Sequence, residues 1–193
     1  MFPLQPVENR GLINLTARLS EPILCGMEPL IIRPATEIDA PGIAVIYNPY
    51  ILATTITFEE GPVTDEEISQ RIKNTQSLGL PWLVAEVEDR LVGYAYASRW
   101  RERPAYRYTA ESTIYLDQRN NGRGYGKQLY SALLDVLRGI GIHAVIDVIT
   151  IPNPASVALH EKLGFSKVAH FREVGYKFDR WLDVGYWQLT FKL

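Results

Sequence analysis

Residues 109–126 read TAESTIYLDQRNNGRGYG, and the chain beyond them places Leu129, Leu133, Val136, Leu137 and Ile140 at helical spacing. The first eight residues carry the β-branched and aromatic side chains of a strand, and the later spacing marks one apolar face of a helix. A strand is therefore expected to run through a Gly-x-Gly-x-Gly turn straight into an amphipathic helix, which commits the chain to layered α/β architecture. Gly122, Gly124 and Gly126, with Arg123 and Lys127 beside them, leave main-chain amides bare at a helix N-terminus, where a phosphate or diphosphate can approach. A tight turn that needs only positive φ is the competing reading. Counting excludes two other phosphate loops: Asn121 and Gln128 stand where a Walker loop needs Gly and Ser or Thr, and Lys127 stands where a dinucleotide fingerprint needs Gly.

The remaining segments extend the same plan. Leu30–Arg33 is a short strand, and Thr36 is placed to cap a first helix ending near Tyr50. Thr64 and Glu67 form a capping box for a second helix, which Gly79–Pro81 terminates. Trp82–Val87 and Leu91–Ala97 read as a hairpin, residues 98–108 as a basic aromatic loop, and AVIDVITI as a buried strand. Pro154 sits early in a further helix capped by Gly164, and two strands follow near Lys167–Val174 and Asp183–Phe191. The order β-α-α-β-β-β-α-β-α-β-β predicts a mixed sheet with helices on both faces.

Charge and cysteine usage exclude several classes of partner. Twenty Lys and Arg against 22 Asp and Glu give no bulk positive field for nucleic acid or an anionic membrane, so any anion must be bound locally. Cys25 is the one cysteine, and with three scattered histidines it makes neither a disulfide nor a metal site. No run approaches the roughly 18 apolar residues of a membrane span. The cytoplasm is the expected compartment. Residues 1–27 carry a weak pattern and are expected to form a poorly ordered N-terminal extension ahead of a domain spanning residues 28–193.

The glycine turn resembles the acyl-CoA loop of the GNAT superfamily of N-acetyltransferases, with Asn121 where that pattern has Gln or Arg. The resemblance runs over residues 31–193. PWLVAEV, GYAYASRW, AYRYTAESTIYL, HEKLGF and DVGYWQL occur in the order seen in the phosphinothricin and methionine sulfoximine acetyltransferase group. It implies a GNAT fold with a mixed central sheet of about seven strands, acetyl-CoA as co-substrate, no metal, and a small-molecule amine as acceptor. It further implies that the backbone of Ile114, Tyr115 and Leu116 holds the pantetheine chain. The amides of Gly122, Arg123, Gly124, Tyr125, Gly126 and Lys127 take the pyrophosphate, and Asn153 and Ser156 lie against the cofactor. A homodimer through the C-terminal strands is also implied.

Amine acetylation needs a base for the ammonium proton and a proton for the departing sulfur. Glu111 stands between Ala110 and Ser112 inside a strand, where a carboxylate is disfavoured unless it has a task or faces solvent; the resemblance makes it the base. Asn153, Ser156 and His160 fall at i, i+3 and i+7 and share a helix face, which the spacing predicts to be a polar stripe. His160 is the expected auxiliary acid or base, against the alternative of a structurally satisfied histidine. In the basic loop, Arg101 and Arg103 are candidates to fork onto an acceptor carboxylate, with Tyr106 and Phe58 covering its apolar part, although a solvated loop would read the same way. Peptide or protein N-acetylation, and acetyl-CoA sensing without catalysis, are the alternative functions.

Overall fold

The computed structural model describes residues 29–192. Seven strands and four helices follow one another as β1 (Ile31–Pro34), α1 (Ala40–Ala53), α2 (Asp65–Ser77), β2 (Trp82–Val87), β3 (Arg90–Arg99), β4 (Thr109–Leu116), α3 (Tyr125–Gly139), β5 (Ala144–Ile151), α4 (Pro154–Lys162), β6 (Ser166–Lys177) and β7 (Arg180–Thr190). All seven strands join one sheet in the order β1-β2-β3-β4-β5-β7-β6. Every neighbouring pair is antiparallel except β4 and β5, which run parallel. The expected element order and mixed sheet are both present. The expectation for residues 1–27 lies outside the described residues.

Period-two alternation splits the apolar residues of β2 and β3 between two cores. Leu83, Ala85 and Ala95 pack with Leu129, Leu133 and Leu137 of α3, while Trp82, Val84 and Tyr94 pack with Ile43, Ile51, Ile68 and Ile72 of α1 and α2. Burying each of the three α3 leucines is worth about 1.5–3 kcal/mol. That exceeds the few tenths to about one kcal/mol that helix-end charge or capping supplies, so packing alone can fix α3 and its N-terminus is free for other use.

Local differences from the sequence reading have identifiable causes. Thr36 caps a short 3₁₀ turn, Glu37–Asp39, that leads into α1. Strands β6 and β7 are longer than expected because Phe178 and Asp179 both adopt positive φ, at 52° and 56°. They close a two-residue hairpin without the Asn-Gly signature that announces such turns. Glu88 and Asp89 do the same between β2 and β3.

Candidate active site

Strands β4 and β5 stay together for three residue pairs only, the last being Glu111 with Ile146. Beyond it, Ser112–Leu116 continue to pair with β3, and Asp147–Ile151 with β7. The sheet therefore splits into a wedge whose inner edges have no strand partner, and main-chain groups there are available to an extended ligand. Side chains of Ile114 and Leu116 pack toward the α3 core. Tyr115 faces the other way, with its ring centroid 4.8 Å from that of Tyr47 and 5.0 Å from that of Tyr50. The Leu116 carbonyl already accepts a hydrogen bond from the Tyr50 hydroxyl at 2.6 Å.

The glycine turn leads from β4 to the start of α3. Gly122 and Gly124 both have φ of +80°, and a Cβ built on either meets nothing within 4 Å. Their backbone is thus left-handed and open to approach, as an anion requires. Gly124 is the N-cap of α3, which has no side-chain cap and no acid in its first turn. The contrast with α2 is direct: there Thr64 and Glu67 bond each other's amides at 2.8 and 3.2 Å, and three acids fill the first turn. The amides at the start of α3 keep their donors and their positive dipole end, with the side chains of Arg123 and Lys127 exposed beside them. Gly126 differs from the two glycines before it. It lies inside α3, where a Cβ would stand 3.0 Å from Leu116 Cδ1, so its lack of a side chain serves helix-to-strand packing. The Tyr125 ring is likewise buried in the core, leaving only its main-chain N–H for a ligand.

Glu111 is the last residue before the wedge opens. It shares a sheet face with Thr113 and Tyr115, opposite Ala110 and Ser112, and its half-buried carboxylate makes no hydrogen bond among the described residues. Burial pushes its pKa up, the negative charge of Asp147 adds to the rise, and Arg101 partly opposes it. A carboxylate in that state is a stronger base than one in water.

Arg101, Glu102, Arg103 and Tyr106 line an open hollow of ≈ 460 Å³. The Arg101 guanidinium lies 4.5 Å from the Trp100 ring centroid, and Trp100 meets Tyr186 edge to face. Phe58 is not part of this lining. Its ring lies against Gly175 of β6, where any Cβ would collide with it, and the adjoining Thr57 carbonyl accepts a bond from the buried Lys177 Nζ at 2.8 Å.

Asn153 caps α4, its Oδ1 accepting the Ser156 N–H at 3.2 Å. His160 departs from the expected polar stripe. Its face of α4 turns inward, leaving the imidazole 1 % exposed between Tyr130 and Phe165. Nδ1 lies 2.7 Å from the Ser156 carbonyl and 3.3 Å from Ser156 Oγ, while Nε2 lies 2.9 Å from Asp147 Oδ2. Burial works to lower the pKa of His160, but the Asp147 carboxylate outweighs it and leaves the value raised. Asp147 takes part in the α3-side core with Ser112 and Tyr130, so His160 and Glu111 approach the wedge from opposite faces of the sheet. Asp147 escaped the sequence reading, although a lone carboxylate within AVIDVITI is the same kind of misfit that singled out Glu111.

Residues 32–185 match the family described as acetyltransferase (GNAT) domain. The chain is 42% identical over 165 residues to a phosphinothricin N-acetyltransferase of Streptomyces viridochromogenes, covering 86% of this chain and 90% of that protein. It is 37% identical over 158 residues to the L-methionine sulfoximine/L-methionine sulfone acetyltransferase of Salmonella typhimurium, covering 82% and 92% of the two chains. A solved GNAT superfamily phosphinothricin acetyltransferase from Sinorhizobium meliloti, in complex with acetyl-CoA, is similar with a TM-score of 0.81. That pair is 36% identical, over 83% of this chain and 88% of the other.

Proposed function

This chain belongs to the GNAT family of acetyltransferases, and from that premise we propose that it moves acetyl from acetyl-CoA to the amine of a small amino-acid analogue of the phosphinothricin and methionine sulfoximine type. The observation that carries the reading is the position of Glu111, a half-buried carboxylate on the last residue pair before β4 and β5 separate. The site fits the co-substrate: an unpartnered strand edge, two glycines with open positive-φ backbone, and an uncapped helix start flanked by two exposed cations. When bound, acetyl-CoA supplies an acetyl group activated as a thioester.

The chain's own residues divide the remaining work. Main-chain groups of Ile114–Leu116 hold the extended arm, and the amides from Gly122 to Lys127 hold the diphosphate with help from Arg123 and Lys127. Asn153 and Ser156 border the arm from α4. Arg101 and Arg103 bind the acceptor's carboxylate from the hollow, and Tyr106 covers its apolar part. Glu111 takes a proton from the acceptor ammonium, whose free pKa is about 8 or higher. His160 holds a proton at the apex of the wedge from the other face.

Two further readings concern assembly and location. Phe171, Val174, Tyr176 and Trp181 are exposed on the β6–β7 hairpin at the sheet edge, which supports a homodimer through these strands. A single cysteine supports a cytoplasmic setting.

An acetyl-CoA consumption screen over phosphinothricin, methionine sulfoximine, methionine sulfone, free amino acids, polyamines and peptides tests the function. Turnover with the amino-acid analogues is expected. Turnover with peptides alone would favour protein acetylation, and tight acetyl-CoA binding without turnover on any amine would favour a sensor.

A further inference from the structure

Asp147 is the first β5 residue beyond the last β4–β5 pair, and it is only 5 % exposed. Placing a carboxylate there costs several kcal/mol unless donors surround it. Three groups converge on its Oδ2: Tyr130 OH at 3.2 Å, Ser112 Oγ at 3.3 Å and His160 Nε2 at 2.9 Å. The two hydroxyls are 2.7 Å from each other. The cluster ties β4, α3, β5 and α4 together at the apex of the wedge.

The other ring nitrogen fixes the proton count on His160. Nδ1 is 2.7 Å from the Ser156 carbonyl oxygen, and a carbonyl only accepts, so Nδ1 carries hydrogen. In a neutral ring the partial negative charge of Nε2 would then stand 2.9 Å from a carboxylate oxygen, with little solvent to screen the repulsion. A proton on Nε2 makes the same contact attractive. The Nε2–H direction, moreover, misses the Asp147 oxygen and meets no other acceptor among the described residues. Asp147 therefore holds this proton by charge and does not take it in a hydrogen bond.

We propose that Asp147 is the positioning residue of His160, keeping the imidazole as an imidazolium whose Nε2–H stays undonated at the point where β4 and β5 part. Around the pair stand Ser112 from β4, Tyr130 from α3, Ser156 from α4 and Phe165 just ahead of β6. Glu161, next along α4, is turned to the Trp187 indole, 3.3 Å away. Asp147 is the charged partner in this set, and it opposes the downward pull of burial on His160. The use of the proton rests on the acetyl-transfer reading. With the thioester bound, Nε2–H would supply the proton for the sulfur that leaves with the C–S bonding pair, and the neutral ring would regain a proton from water before the next turnover.

Ring-nitrogen NMR of the full-length, ligand-free, ¹⁵N-histidine-labelled protein tests the proposal, with the His160 signals assigned through His160→Gln. His160 is expected to carry hydrogen on both nitrogens at pH values above the ordinary histidine pKa of about 6.5. In Asp147→Asn its titration is expected to move to lower pH, with the neutral ring keeping Nδ1–H. A wild-type His160 that is neutral at pH 6, or an unchanged titration in Asp147→Asn, overturns the proposal. The wild-type titration decides alone if the variant does not fold, and neither result depends on the acceptor screen. In turnover, the alkaline limb of kcat should move to lower pH in Asp147→Asn while the KM for acetyl-CoA changes little. A fall in kcat that is uniform across pH, as mere structural damage would give, overturns the catalytic use of the proton.

Discussion

Glu111 is poised by opposing neighbours, and Arg101 is the one that can be removed without entering the sheet. Burial and Asp147 raise the Glu111 pKa, whereas Arg101 lowers it. Arg101→Ala should therefore raise it further. Because the proposed base must be ionised to act, the acid limb of kcat/KM for the acceptor should move to higher pH in this variant, along with a higher KM if the proposed carboxylate contact is lost. A pH–rate profile checks the sign, and an acid limb that stays in place or moves lower contradicts the assignment. Glu111 was legible in the sequence because a charged residue interrupts a strand pattern. The inward turn of His160 was not: the i, i+3, i+7 spacing shows which residues share a face of α4, but only the partners across the sheet decide whether that face meets water or Asp147.

At the scale of elements, the glycine turn combines two backbone settings that the sequence merges into one motif. Gly124 needs positive φ and has open space around it, whereas Gly126 has ordinary helical backbone and a crowded neighbour in Leu116. Gly124→Val should cost about 1–2 kcal/mol of stability through left-handed strain and greatly weaken acetyl-CoA binding by obstructing the diphosphate. Gly126→Val should mainly destabilise the fold, by about 1–3 kcal/mol through overpacking. Thermal unfolding with calorimetry of acetyl-CoA binding separates the two, and equal effects of both variants on affinity would refute the division. Element types and order were readable because each strand and helix carries its own period and cap, as in the Thr64–Glu67 box that opens α2. The point where β4 and β5 separate was not readable, because strand pairing depends on tertiary neighbours and AVIDVITI looks equally able to pair along its whole length.

Across the whole molecule, the sheet ends on β6, with Tyr176 and Trp181 paired on its outward face and Lys177 and Leu182 turned in. Trp181→Glu and Tyr176→Glu should leave the fold intact and convert a dimer to a monomer in sedimentation velocity. A wild-type chain that sediments as a monomer would remove the proposed assembly. The wedge, by contrast, is built from one chain, with Glu111 on the last β4–β5 pair and His160 2.9 Å from Asp147 at the first position beyond it. The measurement that bears most directly on this arrangement is the turnover of Glu111→Gln with a saturating amino-acid analogue across pH, paired with calorimetry of acetyl-CoA binding. Turnover should fall by about 10²–10⁴-fold and lose its acid limb while acetyl-CoA affinity stays close to wild type. Turnover and a pH profile that match the wild-type protein would contradict the account.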